Sequence, residues 1–540
     1  MSYTEAQRRV LERHFSVVDG PDHADIYVVK NLPPEIAATL NGVYSRSSKS
    51  MRDQFLDRLE QGLQQQGRTL DSIADSVAQR DYLSEIMADR SGRFLKTYAI
   101  DHGHNSLREG SVVHLAVEKV SQLVTRFIQR ERRCSFEESS TRYISFGAET
   151  HWIDPDVAAA GGTAERAYRE VLRETFALYS EFTERLLDHL KRRRPLAPGE
   201  QQGPWLRALR AEAFDSARYL LTPAILTKWG IVANARTISE IVSELTSHPL
   251  AEFRLVGDRM RTQAETVLPT LLAHAKPNAM LRDLHLCLPD IAKSLDCGGG
   301  GKAGGPAESR VELISFDEDL DCRLLASLLY EDSSRPFSEI VAAIRGTSPD
   351  RRHEILARCL ERRGPRDPLP IGLEGASPFE FEILIDFGAF RDIGRHRKGF
   401  LQQQRLTVEH GFAVPPLIDE AGLGGRYRET LVRAAENQLA VARLFPHAAS
   451  YVTPFAFLQR ARIVFDPRQV AYFVELRSRP EGHFSYRKVA IEMLDRVRRV
   501  SPLFAACIRA TEGEARFGRM LSEQSAEARR RKRMEAAGDA

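Results

Sequence analysis

The sequence predicts an α+β protein in two parts, and three features carry that prediction. Strand-like alternation appears twice. Val113, Leu115 and Val117 alternate with polar or small residues, and Phe379, Phe381, Ile383, Ile385 and Phe387 alternate with Glu380, Glu382, Leu384 and Asp386. Long helical stretches cover 164–192 and 251–275. Between the two strand patterns lies Cys297-Gly-Gly-Gly-Gly-Lys-Ala-Gly-Gly-Pro-Ala, too rich in glycine to hold a helix or strand, which reads as a flexible linker.

That break divides the chain into residues 1–295, a linker 296–310, a second part 311–515 and a charged tail 516–540. The tail carries Arg529-Arg530-Arg531-Lys532-Arg533, which reads as a solvated helix end. With 540 residues the chain can build two or three domains with sizeable cores. A net charge of +3 excludes a general polyanion binder, and no nucleic-acid partner is expected. The six cysteines are scattered without a Cys-x-x-Cys pair, which argues for free thiols in a reducing compartment and against a metal site or disulfide framework. The opening Met-Ser-Tyr-Thr-Glu-Ala-Gln-Arg-Arg lacks the apolar core of a signal peptide, and no run of 18 apolar residues occurs. These features point to a cytoplasmic protein with no membrane span.

Taken in order, the first part offers a turn, Gly103-His104-Asn105-Ser106-Leu107-Arg108-Glu109, then the strand, then Val120, Leu123, Val124, Phe127 and Ile128 at helical spacing. Where that helix ends, residues 130–143 pack four arginines, three glutamates and four serine or threonine hydroxyls into one loop. Packing does not explain such a segment. Guanidinium forks and small hydroxyls at close spacing suit a ligand with phosphate and planar polar edges.

This loop resembles the Arg-His-Arg-x-x-Ser-x-Asn-Glu-x-Ser-x-Arg-Tyr motif of the flavin-dependent thymidylate synthases. The matches are Arg130, Arg132, Ser135, Glu138, Ser140, Arg142 and Tyr143, while Glu131 replaces the His and Glu137 the Asn. The upstream His-x-Ser/Thr-x-x-Glu turn of that family is matched by His104, Ser106 and Glu109. Its Ala-Arg helix and Asn-x-Arg segment are matched by Ala217-Arg218 and Asn234-Ala235-Arg236.

The second part reads as a divergent copy. Ser377-Pro378-Phe379-Glu380 is similar to the turn, Arg395-His396-Arg397 is the triplet intact, and Ala442-Arg443 resembles the Ala-Arg helix. Asp466-Pro467-Arg468 stands for Asn-x-Arg. Phe400 and Gln402-Gln403 depart from the motif, and no Ser-x-Arg-Tyr follows. The family's Leu-Arg pair, whose Arg activates the pyrimidine, is matched by Leu476-Arg477, with His483 beyond it; the first part has His248, Glu252 and Arg254 there but no activating Arg.

The resemblance implies two tandem copies of that family's fold, an antiparallel sheet flanked by long helices. It implies transfer of a one-carbon unit from methylenetetrahydrofolate to C5 of dUMP, with FAD as reductant and NADPH as electron source. Arg477 would be catalytic, and Glu138, Ser140, Thr141, Arg142 and Arg218 would hold the nucleotide. Ser106, Glu109, Arg130, Arg132, Asn234, Arg236, Arg395, His396, Arg397 and His483 would hold the cofactor. Because sites in the family lie between subunits, a working site would combine a first-part surface with a second-part surface, and a homodimer would mimic the family tetramer. Two alternatives stay open: C5 modification of another pyrimidine nucleotide, or a nucleotide- or flavin-binding protein without turnover.

Overall fold

The computed structural model describes residues 3–31, 44, 47–65, 69–71, 95–103, 105–109, 111–141, 146–147, 150–295, 297 and 302–513, with isolated positions beyond. It is α+β, with two four-stranded antiparallel sheets. The first sheet contains β1 (Asp25–Val29), β2 (Val112–Ser121), β3 (Ser135–Glu138) and β4 (Leu226–Asn234), in the order β1-β2-β4-β3. The second contains β5 (Arg310–Ser315), β6 (Phe379–Asp386), β7 (Phe400–Gln403) and β8 (Leu458–Phe465), in the order β5-β6-β8-β7.

The two sheets also share register. Ser135 lies opposite Val232 and Glu138 opposite Trp229; Phe400 lies opposite Val464 and Gln403 opposite Ala461. At the other end, Ser121 faces Leu226 as Asp386 faces Leu458. Each central strand feeds a short helix, Gln122–Ile128 or Phe387–Ile393, whose N-cap is Ser121 or Asp386. This common register pairs the halves residue by residue. Arg130 corresponds to Arg395, Glu131 to His396, Phe127 to Asp392 and Leu245 to Arg477.

Contacts and register correct two sequence matches. By contact Glu109 is matched by Glu374, since each pairs with the Arg of the following segment: Glu109 with Arg236 at 2.7 Å, and Glu374 with Arg468. Ser377 instead lies just ahead of β6 and Glu380 within it, where Glu380 pairs with Arg462 of β8. Likewise the Ala-Arg helix is not repeated at Ala442-Arg443. The backbone N–H of Ala224 bonds Tyr451 O at 2.9 Å and that of Ala456 bonds Tyr219 O at 2.9 Å, so Tyr219 matches Tyr451 and Arg218 matches Ser450.

The chain forms two compact units. Unit 1 comprises residues 1–177, 221–301 and 436–452; unit 2 comprises 178–220, 302–435 and 453–540. Each unit therefore takes one segment from the opposite half of the sequence. The divisions at 177/178 and 435/436 fall inside the helices Gly162–Arg193 and Gly424–Ala442. The expected helix over 251–275 ends at Glu265, and turns follow it.

In unit 1 the inner strands β2 and β4 pack Val113, Leu115, Val117, Trp229 and Ile231 into the core. In unit 2 Phe379, Phe381, Ile383, Ile385, Ala461 and Ile463 do the same. Part of the glycine-rich segment is ordered there: Gly304 N–H bonds Val408 O at 2.9 Å, and Phe412 N–H bonds Gly305 O at 3.1 Å. Glycine is required at this approach, because a Cβ on Gly304 would come within 2.4 Å of Gly411 N.

Candidate functional site

In unit 2 the helix Phe387–Ile393 is buried along its whole length and delivers Asp392 beneath the Arg395-His396-Arg397 loop. Asp392 is the hub of the arrangement. Its carboxylate lies 3.8 Å from Arg218 Nη2 and 3.9 Å from Arg395 Nη1, and its backbone carbonyl accepts from Arg477 Nη2 at 2.5 Å. Arginines from three separate sequence motifs thus meet at one buried aspartate.

Arg477 is aimed by a second contact. Its Nε donates to His396 Nε2 at 2.9 Å, so that imidazole nitrogen carries no proton. Gln469 sits 3.2 Å from His396 Nδ1, and Phe473 packs on the ring with centroids 4.9 Å apart. The guanidinium of Arg477 lies 5.2 Å from the Tyr486 ring centroid. Arg218, 2 % exposed, also faces Asp215 at 3.9 Å.

The rim is cationic and aromatic. Arg395 and Arg397 are exposed, Phe400 is 50 % exposed and Tyr472 is 54 % exposed. Tyr472 lies edge-on to His396 at 5.7 Å, and Arg462 lies 5.8 Å from the Phe400 ring centroid. Such a surface offers forks for phosphate oxygens and flat faces for planar rings.

A family model described as thymidylate synthase complementing protein matches residues 46–270 and 315–503. The chain belongs to that family. It is 28% identical over 544 residues to a UPF0159 protein of Chlamydia muridarum, covering 96% of this chain and 98% of the relative. A UPF0159 protein of Chlamydia pneumoniae is 28% identical over 505 residues, covering 89% of this chain and 90% of the relative. A flavin-dependent thymidylate synthase of Nitratidesulfovibrio vulgaris is 26% identical over 192 residues, covering 35% of this chain and 71% of that protein.

The other motif residues of this family member fall as follows. Arg142, Tyr143 and His104 lie outside the described residues. Ser140 is half-buried and Thr141 buried, beyond β3 in unit 1, while Ser106 stands on the short helix Asn105–Glu109. Glu138 is buried and ion-paired with the buried Arg126, so its carboxylate already has a structural partner. Asn234 caps the helix Ala235–Thr246 by accepting from Thr237 N–H at 2.9 Å. His483 caps Phe484–Val500 by accepting from Ser485 N–H at 3.2 Å, and its Nε2 lies 3.4 Å from Asp215 O.

In unit 1 Arg130, Arg133 and Arg236 are met by carboxylates. Arg130 lies 3.4 Å from Glu244, Arg133 contacts both Glu131 (2.7 Å) and Glu240, and Arg236 lies 2.7 Å from Glu109. Bonding to Glu131 and Glu240 holds the Arg133 pKa far above its ordinary value. Below the loop His248 stacks on Phe253 with centroids 3.9 Å apart, and burial together with His285 and His447 pushes its pKa down to about 2.

Sequence reasoning missed Asp392, Asp215 and Tyr472. Asp392 could have been found one helical turn before Arg395, but a lone acid in the apolar run Phe387-Gly-Ala-Phe-Arg carries no motif. Among the described residues no helix is long and apolar enough to cross a membrane, and no group of three or more His, Cys, Asp or Glu could hold a metal ion.

Proposed function

We propose that this protein is a flavin-dependent thymidylate synthase built as a tandem duplication of the family fold, methylating C5 of dUMP with methylenetetrahydrofolate and NADPH. The observation that carries the reading is the convergence of Arg218, Arg395 and Arg477 on Asp392. The relatives' printed names support the flavin, and the matching sheet registers support the duplication.

FAD fits the residues present: Arg395 and Arg397 suit its pyrophosphate, and Tyr472 and Phe400 present exposed faces for its rings. When bound, the flavin supplies the reducing equivalents. The chain's own residues supply position and charge. Arg218 would hold the nucleotide phosphate. Arg477 would lie at the O2/N3 edge of the pyrimidine and stabilise the negative charge that builds there as C5 attacks, a role that needs a cation aimed in advance. His396 and the Asp392 carbonyl provide that aim. A thiol nucleophile is not required by this chemistry, and burial raises the pKa of Cys322 and brings that of Cys507 up to about 11.

The test is tritium release from C5-labelled dUMP with the purified, FAD-reconstituted protein. Release that requires both the folate and the reductant supports the proposal. Release with another pyrimidine nucleotide but not with dUMP moves it to that substrate, and nucleotide binding without release leaves a binding protein.

A further inference from the structure

In matched register the two halves differ at the described positions that form the candidate site. Where the second half has Asp392, His396, Tyr472, Leu476 and Arg477, the first has Phe127, Glu131, Glu240, Glu244 and Leu245. The exchange has two directions. The polar hub and the activating cation become apolar, and three positions without an acid in the second half acquire carboxylates in the first.

Both changes are realised in contacts. Phe127 packs against His248 and Phe253, each at 5.1 Å between centroids, and Arg130 lies 3.9 Å over its ring. Leu245 is fully buried, and His285 of the helix Ala279–Ser294 is seated on His248 at 4.7 Å. The space beneath the first loop is therefore filled by aromatic rings. Above it Glu131, Glu240 and Glu244 meet Arg130 and Arg133, so an incoming phosphate would have to displace carboxylates from those arginines. Tyr472, an exposed ring face in the second half, is matched by Glu240, and Phe400 by Ser135.

We infer that each chain carries one flavin-nucleotide site, at the Arg395–Arg397 loop of unit 2, and that the corresponding loop of unit 1 has been rebuilt as a self-neutralised structural element. This rests on the proposed flavin chemistry for the identity of the ligand, but the asymmetry concerns any ligand bearing a pyrophosphate.

The experiment titrates the full chain with FAD and, separately, with inorganic pyrophosphate, by calorimetry. One equivalent per chain is expected. Arg395→Ala and Arg397→Ala, both at exposed positions, should weaken binding by roughly tenfold or more, the scale of a lost hydrogen bond to a charged group. Arg130→Ala and Arg132→Ala should leave affinity within about twofold, and circular dichroism confirms that each variant is folded. Two equivalents per chain, or equal losses from both pairs of variants, overturn the inference. One pyrophosphate equivalent lost with Arg395→Ala but no FAD binding upholds the single site while rejecting the flavin; no binding of either probe rejects both.

Discussion

His396 separates two roles that one motif could hide. Because Arg477 Nε donates to its Nε2, the imidazole acts here as an acceptor that fixes the guanidinium, through which it would serve turnover. His396→Leu should lower turnover by roughly 100-fold, the cost of misplacing a group by about 1 Å, with little change in flavin content. His396→Gln, which can still present an oxygen, should recover part of the rate. Equal losses in both variants, together with loss of flavin, would instead make His396 a flavin ligand. A second residue is legible only in the structure. Glu252 is fully buried, accepts from Ser121 N–H at 2.8 Å, Ser121 Oγ at 2.6 Å and Tyr451 Oη at 2.8 Å, and burial lifts its pKa to about 7. A carboxyl raised in the fold contributes stability that is present below its unfolded pKa of roughly 4.3 and is lost as pH climbs to the folded value. His23, 3.7 Å from Glu252 and held down to about 4 by burial, works the other way, its contribution being lost as pH falls from about 6.5. Comparing Glu252→Gln with wild type isolates the carboxyl. The difference in melting temperature should move in favour of the variant between pH 5 and pH 8, and a constant difference would refute the assignment.

At the scale of elements, the two halves solve one structural problem with inverted chemistry. The helix after the central strand is capped by Ser121 in one half and by Asp386 in the other, while the later helix contributes Glu252 in the first and Ser485 in the second. A hydroxyl-carboxylate pair survives although its members have changed places. Such a swap leaves no identity for an alignment to find, and Arg218 is likewise matched by Ser450, so Ala442-Arg443 resembles the Ala-Arg helix only out of register. The strands themselves were readable, since alternation depends on which face is buried and not on which residues bury it. Capping explains Asn234 and Asp466 better than motif membership alone does, because each accepts from the N–H three residues on. Asp466→Ala should therefore cost about 0.5–2 kcal/mol of stability in chemical denaturation. An unchanged midpoint with loss of flavin would return the residue to the ligand site.

The whole molecule is organised differently from its sequence. Periodicity announces a helix over 164–192 but cannot say which core each end fills, and the glycine-rich break draws attention to 296–310 as the natural boundary. The compact units do change over within that break, at 301/302, but they also take in residues 178–220 and 436–452 from the opposite halves. The borrowed segments reach deep into each unit. In unit 1 Tyr451 bonds the buried Glu252, its carbonyl accepts the N–H of Ala224 just before β4, and His447 packs near His248. In unit 2 Arg218 faces Asp392, and Tyr219 stacks on His483 with centroids 5.7 Å apart. A fragment ending at residue 301 would thus leave Glu252 without its Tyr451 partner and open the core around His248. Burying a carboxylate with too few hydrogen bonds costs several kcal/mol, comparable to the net stability of a domain. Residues 1–301 expressed alone should accordingly fail to unfold cooperatively and should bind a dye for exposed apolar surface. Co-expression with residues 302–540 should yield one complex that co-purifies and melts in a single transition near that of the intact chain. If the 1–301 fragment by itself shows a sharp melt and dispersed amide resonances, the borrowed segments are dispensable, and each half of the sequence folds as a domain of its own.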